Sequence, residues 1–148
     1  MNKTLIFFAQ GLGVGRIPLI PATFGTLWGV FLWMVLRLSL WMYLLITLLI
    51  IVTGVFLSNI AEEESEIKDD RRIVVDEIAG FMVTMIGLPK DVAWMVAGFI
   101  IFRLLDIAKP PPCRWAHNLS GGVGIVADDI IAGAMGCVIL HIFRWLTC

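Results

Sequence analysis

Residues 38–61 carry no charged side chain. As an α-helix, these 24 residues rise about 1.5 Å each and reach roughly 36 Å, enough to cross the ~30 Å hydrocarbon core of a bilayer. Composition agrees: 59% of the chain is hydrophobic, only 16% is charged, and the mean hydropathy is +0.94. That excludes a disordered chain and argues against an ordinary soluble domain. With 11 basic and 12 acidic residues the net charge is −1, which offers no polycationic surface for nucleic acid, and none is expected as a partner. A length of 148 residues fits one domain, 1–148. The expectation is a small membrane-embedded protein.

Charge gaps outline the remaining architecture. Residues 17–36 are also uncharged but are broken by Pro18, Pro21, Gly25 and Gly29, so a helix is expected from about Phe24 to Arg37. Residues 62–77 hold eight of the twelve acids and read as a wet loop or a frayed helix end. Ile78–Leu88 and Val92–Phe102 form a short helical hairpin around Gly87–Asp91. A Pro/Gly-rich loop from Pro110 to Gly124 leads to a last helix over about Ile125–Trp145. No period-2 pattern competes. The fold class is all-α, a compact membrane-associated bundle of about six helices. Cys113, Cys137 and Cys148 form no CxxC or Cys/His cluster, so they read as reduced thiols. Leu5–Ala9 is too short for a signal-peptide core, and the N-terminus is expected to be retained.

In so apolar a chain the scarce polar residues carry the information, because a charge at bilayer depth costs about 2.5–3.5 kcal/mol on insertion scales. Gly11-Leu12-Gly13-Val14-Gly15 lets backbone amides approach an anion, and Thr23 is a good N-cap for the helix it precedes. The bland reading is a turn and an ordinary cap. Asp76-Glu77-Ile78-Ala79-Gly80 and Asp129-Ile130-Ile131-Ala132-Gly133 align, and Asp128 precedes the second. In each, the Asp shares a helix face with two small residues that allow close packing beneath it. Such paired acids suit oxygen ligation of a hard cation such as Mg²⁺; helix capping is the competing explanation. Arg103, Asp106 and Lys109 recur every three residues as one charged stripe, either a phosphate-binding group or a self-neutralising pair with a snorkelling lysine.

Helix lengths and directions bring these groups to one end of the bundle. The hairpin leaves from Asp76 and returns to Asp106; the last helix leaves from Asp129. On that end lie Arg16, Lys68, Arg71, Arg72, Arg103, Lys109 and Arg114, against Arg37, Lys90 and Arg144 on the other. The positive-inside rule puts the polar end on the cytoplasmic side. His141 reads as packing and His117 as a minor contact at most. The tryptophans read as interface anchors or core.

Taken together, Pro21-Ala-Thr-Phe-Gly-Thr26, Val75-Asp-Glu-Ile-Ala-Gly80, Phe102-Arg-Leu-Leu-Asp-Ile-Ala-Lys-Pro110 and Gly121-Gly-Val-Gly-Ile-Val-Ala-Asp-Asp-Ile-Ile-Ala-Gly133 resemble the phosphatidylglycerophosphatase A family over residues 9–143. The resemblance implies a Mg²⁺-dependent lipid phosphatase of the bacterial inner membrane that converts phosphatidylglycerophosphate into phosphatidylglycerol. It implies a bundle around one central helix, a cytoplasm-facing site, and polar positions at Thr23, Asp69, Asp76, Glu77, Arg103, Asp106, Lys109, Asp128 and Asp129. Ala22 stands where the family often has Gly, and Asp70 where a Pro is common.

The expected chemistry is metal-activated water attacking the phosphomonoester. Asp76, Glu77, Asp128 and Asp129 surround the metal, and Asp106 positions water or touches a second metal. Thr23, Arg103 and Lys109 bind phosphate, with Asp69 and Gly13 as accessories. The division of labour among the acids stays open, as does a covalent aspartyl-phosphate. A non-enzymatic cation carrier or scaffold is the alternative from another class.

Overall fold

The computed structural model describes residues 2–16, 20–36, 38–65, 70 and 72–147. Among them there are seven α-helices and no strand: α1 (Asn2–Ala9), α2 (Pro21–Val35), α3 (Leu40–Ser65), α4 (Val75–Thr84), α5 (Val92–Ala108), α6 (Pro111–His117) and α7 (Gly121–Thr147). A single 3₁₀ turn, Val14–Arg16, lies between α1 and α2.

The expected all-α bundle is present, with several boundaries moved. α2 begins at Pro21 rather than Phe24, because proline's fixed φ and missing N–H suit the first helical position; Ile20, not Thr23, occupies the N-cap. Arg37 lies outside the described residues. α3 carries through Glu62–Glu64 to Ser65, absorbing the start of the acidic stretch. Part of the expected Pro/Gly loop is helix α6, again opened by prolines. α7 starts at Gly121, four residues before the expected Ile125, so Asp128 and Asp129 sit in its second and third turns rather than opening it.

α4 is the central helix. All of its residues are buried, Asp76 and Glu77 included. It is only 10 residues long, about 15 Å, and its sequence is too short to span a membrane by itself; it is instead wrapped by α2, α3, α5 and α7. The closest crossing is with α7. A Cβ on Gly133 would lie 2.3 Å from the Gly80 carbonyl oxygen, and one on Gly80 would lie 2.7 Å from the Asp129 oxygen. The glycines of the two aligned motifs therefore meet each other. Phe81 and Phe102 pack edge to face at 6.3 Å, and Tyr43 of α3 donates its hydroxyl to the Met82 carbonyl at 2.7 Å, tying α4 to α5 and α3.

Two helices, Leu40–Glu64 and Gly121–Thr147, are long and apolar enough to cross a membrane. Most of the α3 span faces outward, with Leu45, Leu48, Leu49, Val52 and Phe56 exposed. A continuous apolar face of this kind needs lipid or another apolar cover. α5 is closed at its start by Asp91, whose Oδ1 accepts the Ala93 N–H at 2.7 Å. At its end Lys109 adopts the left-handed conformation, φ +42°, just before Pro110.

Candidate active site

One cleft of about 510 Å³ gathers residues from four helices. Thr23 comes from the first turn of α2, Asp76 and Glu77 from α4, Arg103 and Asp106 from α5, Lys109 from its end, and Asp128 and Asp129 from α7. The convergence expected from helix lengths is therefore realised for these eight residues. Asp69 lies outside the described residues. Gly13 does not line the cleft: its N–H is donated to the Gln10 carbonyl, as is that of Gly15, while Gly11 donates to Phe8. The glycine run spends its amides inside its own turn and has none of these to offer a phosphate.

The acids divide into two groups. Asp76, Glu77 and Asp129 each bring a carboxylate oxygen into a cluster whose atoms all lie within 4.8 Å of one another, and all three residues are buried. Asp76 and Glu77 stand in the first turn of α4, where the helix dipole favours negative charge. That is not enough to neutralise the cluster. Burial, followed by repulsion from Asp129 and Asp106, pushes the Glu77 carboxyl up to about 8. Its Oε2 is buried with no hydrogen-bond partner.

Asp128 was grouped with the metal ligands by sequence, but it turns elsewhere. Its Oδ2 accepts Lys109 Nζ and lies 3.0 Å from His117 Nδ1. The left-handed backbone at Lys109 is an uncommon conformation that costs on the order of 1–3 kcal/mol, and it ends α5 where the lysine reaches across to α7. Burial works against the Lys109 charge, but Asp128, Asp129 and Asp106 outweigh it and hold the ammonium above the ordinary lysine value. Arg103 and Asp106 form the expected pair, with Nη1 to Oδ2 at 2.5 Å, and both side chains stay on the cleft wall.

The arrangement is a buried three-oxygen cluster next to two cations and the N-terminus of α2. Oxygen donors of this kind fit a hard divalent cation, and the cations with the first-turn amides fit an anion. The family model for phosphatidylglycerophosphatase A matches residues 7–144, nearly the whole chain. The chain belongs to the phosphatidylglycerophosphatase A family. It is 40% identical over 144 residues to phosphatidylglycerophosphatase A of Escherichia coli (strain K12), covering 95% of this chain and 84% of that one. It is 30% identical over 141 residues to phosphatidylglycerophosphatase A of Haemophilus influenzae, covering 93% and 86%. A putative phosphatidylinositol-3-phosphatase of Bacteroides thetaiotaomicron is 30% identical over 150 residues, covering 95% and 94%. No solved structure matches. Membership in the phosphatidylglycerophosphatase A family makes the chain a phosphatase and sets aside the carrier or scaffold.

His117 is not among the residues lining the cleft but meets one of them, Asp128. Nothing in its spacing connects it to Asp128, eleven residues on; the link arises because α6 folds back along α7.

Proposed function

We propose that this phosphatase removes the terminal phosphate of phosphatidylglycerophosphate, leaving phosphatidylglycerol, in the bacterial inner membrane. The observation that carries this reading is one cleft that holds both a carboxylate cluster and two cationic side chains, Arg103 and Lys109. Carboxylates alone repel a phosphate dianion. The buried Oε2 of Glu77, with no hydrogen-bond partner, fits a ligand to a cation that would offset this repulsion.

Asp76, Glu77 and Asp129 would hold that cation, and an all-oxygen set favours Mg²⁺ over softer metals. When bound, it would supply charge neutralisation at the phosphoryl group and an acidified water. The chain's own residues do the rest. Arg103 is held by Asp106 at 2.5 Å, so its planar fork is oriented before substrate arrives and can take two phosphoryl oxygens. Lys109 adds a point charge, braced by Asp128. The Thr23 hydroxyl and the Ala22 and Thr23 amides, in the part of the first turn that has no intrahelical acceptor, add donors at a positive helix end. Asp106, held by Arg103, would orient the attacking water.

The excess of basic residues that the sequence pattern assigns to this end supports a cytoplasm-facing cleft. The whole chain acts as a single domain. The deciding experiment measures phosphate release by purified protein in detergent micelles from phosphatidylglycerophosphate and, in parallel, from phosphatidylinositol 3-phosphate. Release from the first in Mg²⁺, abolished by EDTA, is expected. Folded protein that releases no phosphate from it in Mg²⁺ overturns the proposal.

A further inference from the structure

A second hollow, of about 280 Å³, is lined by Val14 of the 3₁₀ turn and by Phe24, Leu27, Trp28 and Phe31 of α2. It is apolar throughout. The Trp28 and Phe31 rings meet edge to face at 5.4 Å and form a firm wall, while Leu27 and Phe31 are exposed.

Two observations tie this hollow to the site. The first is register. Pro21 lines the catalytic cleft, and Phe24, Trp28 and Phe31 follow it at three, seven and ten residues, along one helix face. From Pro21 to Phe31 the helix rises about 15 Å, half of the ~30 Å hydrocarbon core and so the depth of one leaflet. The second is the glycine run, which phosphate binding leaves unexplained. A Cβ on Gly15 would lie 2.0 Å from the Arg72 carbonyl oxygen; one on Gly11 would lie 2.8 Å from Val74 and 3.6 Å from the Trp28 ring. Without those atoms the turn seats against α2 and the segment entering α4, and Val14 becomes the opposite wall of the hollow.

We propose that this groove holds one acyl chain of the phospholipid whose phosphate occupies the cleft. The inference rests on the lipid-phosphatase reading above. A lipid chain is the fitting occupant because the groove runs along the face of α2 that starts at the cleft-lining Pro21, matches one leaflet, and offers no polar group to satisfy a peptide backbone. A chain moving from lipid into the groove gains little from apolar contact, since lipid tails are as apolar as the wall. The groove acts by orientation, holding the headgroup in line with Arg103 and Lys109.

The test uses the whole protein in detergent micelles and a phosphatidylglycerophosphate with a photoactivatable group in one acyl chain; adducts are mapped by mass spectrometry. Adducts are expected at Val14, Leu27 and Phe31, and a ~tenfold excess of unlabelled phosphatidylglycerophosphate lowers them about tenfold, whereas phosphatidylcholine does not. Adducts on the outer face of α3, at Leu48 and Val52, serve as the uncompeted background. Groove adducts no more competed than this background overturn the proposal. Phosphate release together with uncompeted groove adducts refutes the groove alone. Competed groove adducts without phosphate release refute the phosphatase reading and leave the groove standing.

Discussion

Replacing Gly133 with alanine tests whether the α4–α7 crossing sets the geometry of the acid cluster. The new Cβ would stand 2.3 Å from the Gly80 carbonyl oxygen, a backbone atom that cannot rotate away, whereas ordinary contact begins near 3.4 Å. The helices must part by about 1.1 Å. Gly133 lies one turn beyond Asp129, and Gly80 one turn beyond Asp76, so the separation is carried into the cluster. Mg²⁺ accepts little change around ligand distances of about 2.0–2.1 Å, and a ~1 Å misplacement costs on the order of 100-fold in rate. Overpacking of this kind also costs about 1–3 kcal/mol of stability. Gly136→Ala is the control: one turn further along, its Cβ would meet the Thr84 methyl at 3.1 Å, a side chain that needs to give only a few tenths of an ångström. Both changes gain similarly in helix propensity. Phosphate release across a Mg²⁺ titration, with thermal melts of each protein, separates them. Gly133→Ala with wild-type turnover and metal dependence, or Gly136→Ala with an equal loss, would refute the reasoning.

Three further outcomes are expected. Asp129→Asn and Glu77→Gln each lower phosphate release by more than the roughly 10–100-fold seen when only a ligand's supporting group is changed, and melts show that the folded protein no longer gains stability from Mg²⁺. Glu77 sits at about 8 in the fold against an ordinary 4.5. The unfolded chain therefore binds fewer protons between these values, and the metal-free protein loses stability as pH rises from 4.5 to about 8; melts in EDTA across that window that are flat or rise contradict this. His117→Ala frees Asp128 from one of its partners, and a hydrogen bond to a charged group is worth about 1.5–3 kcal/mol, so KM rises roughly tenfold or more. His117→Asn, which keeps a donor near the Nδ1 position, recovers most of that loss in the same steady-state assay.

Much of the site was legible because membranes penalise charge. Once residues 38–61 marked the chain as a membrane candidate, each remaining acid or base on an apolar helix required a reason, and Asp76, Arg103, Asp106 and Asp129 stood out at once. Gly80 and Gly133 were legible too, as small residues on the face of an acid. Helix starts were less legible. Thr23 looked like a cap because threonine caps well, yet Pro21 two residues earlier fits the first helical position with no side-chain cap. The alternating glycines looked like an anion cradle because spacing does not record which carbonyls the amides meet.

The sequence by itself determined the class, the helix count to within one, the family and eight of the polar residues that share the cleft. All of these follow from one-dimensional patterns: charge gaps, helix periods and motif order. Only the tertiary structure decided how the acids are divided. Asp128 and Asp129 are neighbours in sequence, but successive residues on a helix point about 100° apart. That rotation sends Asp129 to the cluster with Asp76 and Glu77, and Asp128 to Lys109 and His117. The structure also decided that a short apolar helix, α4, is the centre: its glycine lets α7 approach to backbone contact, and enclosure on every side lets 10 residues carry two buried acids that a lipid-facing helix could not hold.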